Sequence, residues 1–484
     1  MKSKFFGQKE EIRLKCLRMD NFENKKVLIM GLGLHGGGVA VANWFLKQKA
    51  LVKITDLKTE QDLAPSLKKI KGKPELALGG HDPKDFAWAD IVIQNPGVPR
   101  DSIFLQIAKT RGARIENEAT LFFKIIGRDR IIGVTGTRGK STTATLIFEI
   151  IRKKYKNTFL GGNLVSAPMF SFIESALTTK DPVVLELSSW HLENLGEMGL
   201  SPRIAVFTNL YPDHLNRYKN MEEYALAKQN IFKFQSQDDY LIINWDNPYT
   251  LVFGRAAKSK KFWFSRHHSF DSMGSFVDEK NIYFFDGNKK EKILDFKDIK
   301  IAGEHNVQNI LAAVCVARIL EVSPADIHRA VASFGGLDHR LELAREYEGV
   351  KYYNDTSATT PDGAIAALKT LGNAQKKNII LIAGGSDKGI PQEKFSELGE
   401  LVGKYCKAVI LFEGKGSEKI KKSLTAYGLQ LTAKIKSMSD AVGIAKSMAK
   451  ESDIVLLSPA CASFGLFKHE FDRGDQFRTL VLEL

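Results

Sequence analysis

Short apolar runs recur along the chain, each followed by a glycine-rich or polar turn and then by a stretch with helical spacing of apolar residues. Runs without alternation are what a strand buried on both faces requires, so the pattern predicts parallel sheets covered by helices. "KKVLIMGLGLHGGGVAVANWFLKQKALVKITD" reads as a buried strand, a glycine turn, a helix and a second strand ending at Asp56. "ADIVIQNPGVP" and "GARIENEATLFF" continue that rhythm. A second unit begins near Arg130, with "RIIGVTG" as strand, "TRGK" as turn and "STTATLIFEIIRKKY" as amphipathic helix. In it "PVVLELSSWHLEN" and "PRIAVFTNLYPDHLNRY" are apolar strands running into loops that carry His and Asp. A third unit follows "FGGLDHRLE", with strands in "VKYYNDTSATTPDGAIAALKTL", "NIILIAGGSDKG", "AVILFEG" and "DIVLLSPACASFGLF". The chain shows neither an internal repeat nor a low-complexity linker. Three α/β domains joined by short connectors are the simplest organisation: an extension over 1–25, then 26–128, 129–336 and 337–484.

Composition changes this picture little. A length of 484 residues suits several domains, and 44% hydrophobic with 26% charged residues is ordinary for a globular protein. No apolar run approaches the roughly 20 residues of a membrane span, and the charged N-terminus lacks a signal-like apolar core. A cytoplasmic protein without a membrane partner is expected. Cys16, Cys315, Cys406 and Cys461 lie far apart, which suggests neither a zinc site nor a disulfide framework. The net charge of +14 comes from dispersed lysines and no nucleic-acid module is recognisable, so no nucleic-acid partner is expected.

Two glycine turns carry candidate chemistry. The first places Gly31, Gly33 and Gly36 as G-x-G-x-x-G after a strand, with Asp56 beyond, the dinucleotide fingerprint of a Rossmann-like domain. By itself it favours an NAD-dependent dehydrogenase, although such a turn accepts any diphosphate, including that of a nucleotide sugar. The second, "IIGVTGTRGKSTTATL", departs from the Walker spelling because Val134 stands where a glycine is wanted. It still offers what a phosphate loop needs: Gly136 and Gly139 for a close turn, Lys140 for charge and Ser141 for a metal. Glu186 ends a strand where a carboxylate could hold a hard cation, or else cap the following helix. Asp213 and His214 close another strand, and Lys228 follows on a helix with Glu222, Glu223 and Tyr224.

Taken together and in order, "GVTGTRGKST", "GGN", "ELSSWHLE", "NLYPDHLNRY", "GEHNVQN", "GLDHRLE", "NDTSATTPDGAIAAL", "GGSDKG" and "LSPACASFGLFKHEFDRGDQF" resemble the Mur ligases, ATP-dependent amide-forming enzymes of peptidoglycan precursor synthesis. The resemblance runs from about Lys26 to Phe477. The family spells its loop T-G-T-x-G-K-[ST], so Val134 is no defect. The resemblance implies a Rossmann-like UDP-binding domain, a P-loop ATPase-like central domain and a Rossmann-like amino-acid-binding domain. Within the family, "GLGLHG" and "LSPACAS" are most similar to members that join D-glutamate to UDP-N-acetylmuramoyl-L-alanine.

By that resemblance Gly33, Leu34, His35, Asp56, Asn95, Asn163 and Ser188 would bind the UDP substrate rather than NAD. Gly136, Thr137, Gly139, Lys140, Ser141, Thr142, Asn306, Asn309, Arg340 and Asp355 would bind ATP. Ser141 and Glu186 would hold one Mg²⁺, and His214 with an N6-carboxylated Lys228 would hold a second. Lys140, Glu186, His214 and Lys228 form the implied catalytic set, and Thr359, Lys388, Ser463 and Phe471 the amino-acid site. A monomer whose domains close over the reactants is implied. Three positions depart from the pattern. Ser357 stands where relatives often have lysine, Glu470 where an aromatic is usual with Phe471 next to it, and Arg138 where asparagine is common. L-glutamate or another amino acid therefore stays open. A nicotinamide-dependent oxidoreductase and a non-catalytic UDP-sugar-binding regulator are the rivals from other classes.

Overall fold

The structure is a computed structural model that describes residues 21–484 except 35, 96, 100, 165–166, 215–216, 268–271, 302 and 429–430. The described residues fall into two compact units, those within 21–299 and 305–333, and those within 300–304 and 334–484.

The first unit contains two sheets. β1 (Lys26–Met30), β2 (Leu51–Asp56), β3 (Glu75–Leu78), β4 (Ile91–Gln94) and β5 (Arg114–Glu116) form one in the order β3-β2-β1-β4-β5. All its pairings are parallel, with Val27 opposite Val52 on one side and Ile91 on the other. The wholly apolar strand segments follow from this, because both faces are covered. Leu28, Met30, Phe86, Val92 and Leu105 pack on one face, while Val27, Ile29, Trp44, Phe45 and Ile93 belong to the core on the other. That second core is continuous with the next sheet, and the rings of Trp44 and Phe170 meet edge to face at 5.2 Å.

The second sheet comprises β6 (Ile131–Thr135), β7 (Phe159–Gly162), β8 (Val183–Glu186), β9 (Ile204–Phe207), β10 (Tyr240–Asn244), β11 (Lys260–Ser265), β12 (Gly274–Asp278), β13 (Asn281–Phe285) and β14 (Lys290–Asp295). Its order is β14-β13-β12-β11-β10-β9-β6-β8-β7, parallel from β7 to β12 and antiparallel from β12 to β14. β6 lies between β8 and β9, so the loops leaving three neighbouring parallel strands open at one sheet edge, the usual position of a ligand crevice.

The second unit has its own sheet, made of β15 (Glu342–Tyr347), β16 (Val350–Asn354), β17 (Ile379–Gly384), β18 (Cys406–Phe412), β19 (Ala433–Ile435) and β20 (Ile454–Leu457). Its order is β15-β16-β20-β17-β18-β19, parallel except for the hairpin β15–β16. Separate apolar cores cover its two faces. Cys315, Cys406 and Cys461 are buried free thiols. Among the described residues no helix is long and apolar enough to cross a membrane.

Candidate active site

The loop after β6 is shaped by its two glycines. At Gly136 (φ 147°) a Cβ would lie 1.9 Å from Thr208 Oγ1, and at Gly139 (φ 77°) it would lie 2.3 Å from Asn309 Oδ1. Neither position admits a side chain, and both need a backbone that glycine adopts freely. The residues after β9 hold the loop from the other side. Thr137 N donates to Asn209 O (2.9 Å), Arg138 N to Asn209 Oδ1 (2.9 Å), and Thr208 Oγ1 to Arg138 O (2.6 Å). Helix Lys140–Ile151 then starts directly from Gly139, aiming its first amides at the crevice.

Charged and polar side chains converge on this loop. Ser141 Oγ donates to Glu186 Oε2 at 2.7 Å, and Asn163 Nδ2 donates to Glu186 Oε1 at 3.3 Å. Glu186 is buried at the carboxyl end of β8, where its own C=O also accepts from Asn163 N. Capping of helix Ser189–Glu197 falls to Ser188, whose Oγ accepts from His191 N at 3.3 Å. Lys140 Nζ donates to Thr137 O (2.9 Å), and Lys228 Nζ donates to Gly136 O (2.8 Å). Lys228 is 2% exposed, on helix Met221–Lys233, with Nζ 4.9 Å from the Tyr224 ring centre. Burial, and next the Lys140 ammonium, hold its pKa well below the usual lysine value, against the pull of Asp213 and Glu186. His214 has φ 54° and its ring lies 5.9 Å from those of Trp190 and Tyr224. Thr143 Oγ1 donates to Asn309 Oδ1, and Asn309 Nδ2 donates to Asn306 Oδ1, which tethers helix Glu304–Ile319 to the loop's helix. Thr142 is part-exposed on the first turn of that helix.

The donor chemistry suits a hard cation at Ser141 and Glu186, which present hydroxyl and carboxylate oxygens. No group of three or more His, Cys, Asp or Glu poised for a metal occurs among the described residues. An ammonium cannot ligate a cation, so Lys228 could serve one only once it has lost its proton, and as an oxygen ligand only after modification. A neutral, desolvated amine is the form that reacts with CO₂.

The first glycine turn is engaged differently. Asp56 Oδ2 accepts from Leu32 N (2.9 Å) and Gly33 N (3.3 Å), and its Oδ1 accepts from Lys58 N (2.9 Å). Asp56 thus braces the turn from within instead of standing open towards a ribose. Asn95 Nδ2 donates to Gly31 O (3.1 Å), and a Cβ on Gly31 would meet Asn95 Cβ at 2.9 Å, so Asn95 is a second prop. Leu34 is exposed beside the turn. His35 lies outside the described residues.

In the second unit, the chosen residues gather at the carboxyl ends of β16, β17 and β20. Asp355 Oδ1 accepts from Leu341 N (3.1 Å) and its Oδ2 from Ser458 Oγ (2.8 Å), and burial pushes its pKa up to about 7. Arg340, exposed, acts on Asp355 electrostatically. Lys388 Nζ donates to Thr359 Oγ1 at 2.7 Å, Ser463 is buried, and the Phe471 ring sits 5.5 Å from that of His339. Sequence reading missed Arg473. Fully buried, its guanidinium donates to Thr356 Oγ1 (2.9 Å), Thr356 O (3.0 Å) and Cys461 O (3.3 Å), tying together the loops that follow β16 and β20. Burial lowers its pKa to about 10. Thr208, Asn209 and Tyr224 were also missed as loop partners; only their place after an apolar strand or beside Lys228 could have marked them.

Three family models match the chain: the Mur ligase MurD-like N-terminal domain over 25–117, the Mur ligase middle domain over 134–317, and the Mur ligase glutamate ligase domain over 339–461. The chain is 41% identical to a UDP-N-acetylmuramoylalanine–D-glutamate ligase of Roseiflexus, over 94% of this chain and 98% of that one. It is 37% identical to a protein of the same name from Borreliella afzelii, over 96% and 99%. Among solved structures, a UDP-N-acetylmuramate–alanine ligase from Thermotoga maritima aligns with a TM-score of 0.63 at 20% identity, over 95% of this chain and 99% of that one. A MurF ligase from Thermotoga maritima in complex with ADP aligns at 0.56 and 18%, over 89% and 95%.

Proposed function

Because the chain belongs to the Mur ligase family, we propose that it adds D-glutamate to UDP-N-acetylmuramoyl-L-alanine with conversion of ATP to ADP and phosphate, a step of peptidoglycan precursor synthesis. The observation that carries this reading is the cluster at the second glycine turn, Ser141 on Glu186 at 2.7 Å with Lys228 beneath Gly136 at 2.8 Å. The matches to Mur ligases give no support to the oxidoreductase alternative.

A carboxylate is a poor acyl donor because oxide would have to leave. Transfer of the γ-phosphoryl group of ATP to the alanyl carboxylate makes an acyl phosphate. The glutamate amine attacks its carbonyl carbon, the C–O bond to phosphate breaks, and the amine gives up a proton. In such phosphoryl transfer the protein positions reactants and neutralises charge. Lys140 turns from Thr137 O to the transferring phosphoryl, and the amides that begin its helix take the β-phosphate. Ser141 and Glu186 would hold one Mg²⁺, and His214 with a carboxylated Lys228 a second. Such ions would supply positive charge to offset that of the phosphates. Lys228 serves as a carbamate: its neutral amine adds CO₂, forms an N–C bond and releases a proton. Its depressed pKa supports that step.

We assign 26–128 to the uridine nucleotide, 129–336 to ATP and 337–484 to the amino acid, with 1–25 preceding them. Gly33, Leu34, Asn163 and Ser188 serve the nucleotide substrate, and Asp56 and Asn95 serve it through the shape of the turn they brace. Thr359, Lys388, Ser463 and Phe471 serve glutamate. Within the first unit, Asn306 and Asn309 complete the adenine contacts. Glu470 lies within electrostatic reach of buried Arg473, which supports a dicarboxylic substrate by offsetting the carboxylate that would otherwise repel it. A reaction that consumes ATP and a nucleotide-activated sugar belongs in the cytoplasm, and a monomer suffices for it.

The test is phosphate release from ATP and Mg²⁺ with UDP-N-acetylmuramoyl-L-alanine and D-glutamate, L-glutamate or no amino acid. Release that requires the D-isomer, with the product heavier by one glutamyl residue, is expected. Equal release with the L-isomer overturns the stereochemical assignment. No release with either overturns the choice of amino acid.

A further inference from the structure

Glu118 is a carboxyl that the ligase reaction does not use. It begins helix Glu118–Ile126 and lines a cavity of about 30 Å³ beneath the first glycine turn, together with Gly31, Gly37, Gly38, Gln94 and Asn95. A Cβ on Gly37 would lie 2.9 Å from Glu118 Oε2, so the carboxyl abuts the first residue of helix Gly37–Lys47. Its other oxygen accepts from Phe170 N at 3.4 Å. Burial pushes its pKa up to about 7, opposed by the amides of Phe170 and Met169.

The charged groups nearby are otherwise engaged. Lys47 of the adjoining helix pairs with Glu174, Lys124 of Glu118's own helix pairs with Glu116, and Asp56 is bonded into the turn. His81, beyond Asp56, is bonded to Thr55 Oγ1. Segment Met169–Ser171 and the end of β4 bring no ionisable side chain. His35 lies outside the described residues.

With Leu32 N and Gly33 N taken by Asp56, the first amides of helix Gly37–Lys47 are the part of the turn that Asp56 leaves for a diphosphate. Glu118 stands at that same helix end. Two anions cannot share it without strong repulsion in a desolvated pocket. We propose that Glu118 is the proton-coupled gatekeeper of the uridine-diphosphate site, ionised in the free protein and protonated when the substrate's diphosphate occupies the amino end of helix Gly37–Lys47. The proposal rests on the reading of this turn as the uridine-nucleotide site. Above pH 7 each binding event then carries most of a proton from solvent to a Glu118 oxygen, and progressively less below it. The diphosphate diester and carboxylate of the substrate are ionised throughout the neutral range, so the proton must go to the protein.

The test is titration calorimetry of the full chain with UDP-N-acetylmuramoyl-L-alanine at pH 7.5, in two buffers of different ionisation enthalpy. The wild type is expected to take up about three quarters of a proton per site, and its Kd to weaken about tenfold from pH 6 to pH 8. Glu118→Gln keeps the acceptor and removes the titration. It should take up correspondingly fewer protons and bind with a nearly flat pH dependence. The same uptake in wild type and Glu118→Gln, or uptake lost instead in His35→Asn or His81→Asn, overturns the proposal. Binding by the wild type that is tight, Asp56-dependent and pH-independent overturns the coupling alone. Absence of binding, or binding indifferent to Asp56→Ala, overturns the nucleotide reading and the coupling with it.

Discussion

The two glycine turns of the first unit are built alike, each leaving a central parallel strand and entering a helix through a glycine of positive φ, Gly36 in one and Gly139 in the other. They differ in the charge that surrounds them. Carboxylates brace the first, with Asp56 on its amides and Glu118 at its helix end. Lysines brace the second, with Lys140 and Lys228 on the carbonyls of Thr137 and Gly136. A turn that carries Lys140, with the Ser141 and Glu186 oxygens available to a hard cation, suits a polyphosphate whose charge must be offset while a bond breaks. A carboxylate-braced turn suits a diphosphate that is only a handle and is released unchanged. The glycine spelling alone therefore cannot say which phosphate a turn serves. The ionisable residues delivered from elsewhere in the fold decide it.

Substitutions at the two turns should separate them. Lys228→Ala should lower the ligation rate about a thousandfold or more, with the uridine substrate still bound. Partial recovery in added short-chain carboxylate is expected if the carbamate acts only as an anion; an active, unrescued variant removes Lys228 from the mechanism. Gly139→Ala drives a Cβ into Asn309 at a backbone angle alanine avoids, and should cut turnover about a hundredfold through misplaced ATP. Calorimetry should show weakened ATP binding beside normal uridine-substrate binding. Asp56→Ala gives the mirror result, roughly tenfold in KM for the uridine substrate with ATP binding unchanged. The smallest effect is on stability. Because the folded protein raises the pKa of Glu118 from 4.5 to about 7, its stabilising share is complete below pH 4.5 and is lost as pH rises through 7. Glu118→Gln should therefore match the wild type in melting temperature near pH 4. It should exceed the wild type by a few degrees at pH 8.5, about 1–2 kcal/mol after allowing for partial exposure.

The parallel sheets were legible because strands buried on both faces must be apolar throughout, as in Val27–Met30 and Ile131–Val134. The ladder β12–β14 was not. Ile282 and Phe284 are buried while their neighbours in β13 are half-exposed, and so short an alternation is not distinguishable from loop. Residue types at the site were readable from Gly136 to Ser141 because phosphate-loop chemistry dictates them locally. The direction of the Asp56 carboxylate was not, since it depends on where Leu32 and Gly33 place their amides. Arg473 meets Thr356 across 117 residues of sequence, and no local pattern announces such a contact.

That guanidinium has a consequence for how the family can drift. It is anchored to a hydroxyl and two main-chain oxygens on two loops, so those loops share one ruler. A residue inserted into either one would strand a buried cation and move the other. Lysine, with a single compact ammonium, could not span both. Variation on this side of the second unit is therefore confined to side chains hung on a fixed frame, such as Ser357 on the first loop and Glu470 at the start of the helix that follows the second, and excluded from the lengths of the two loops.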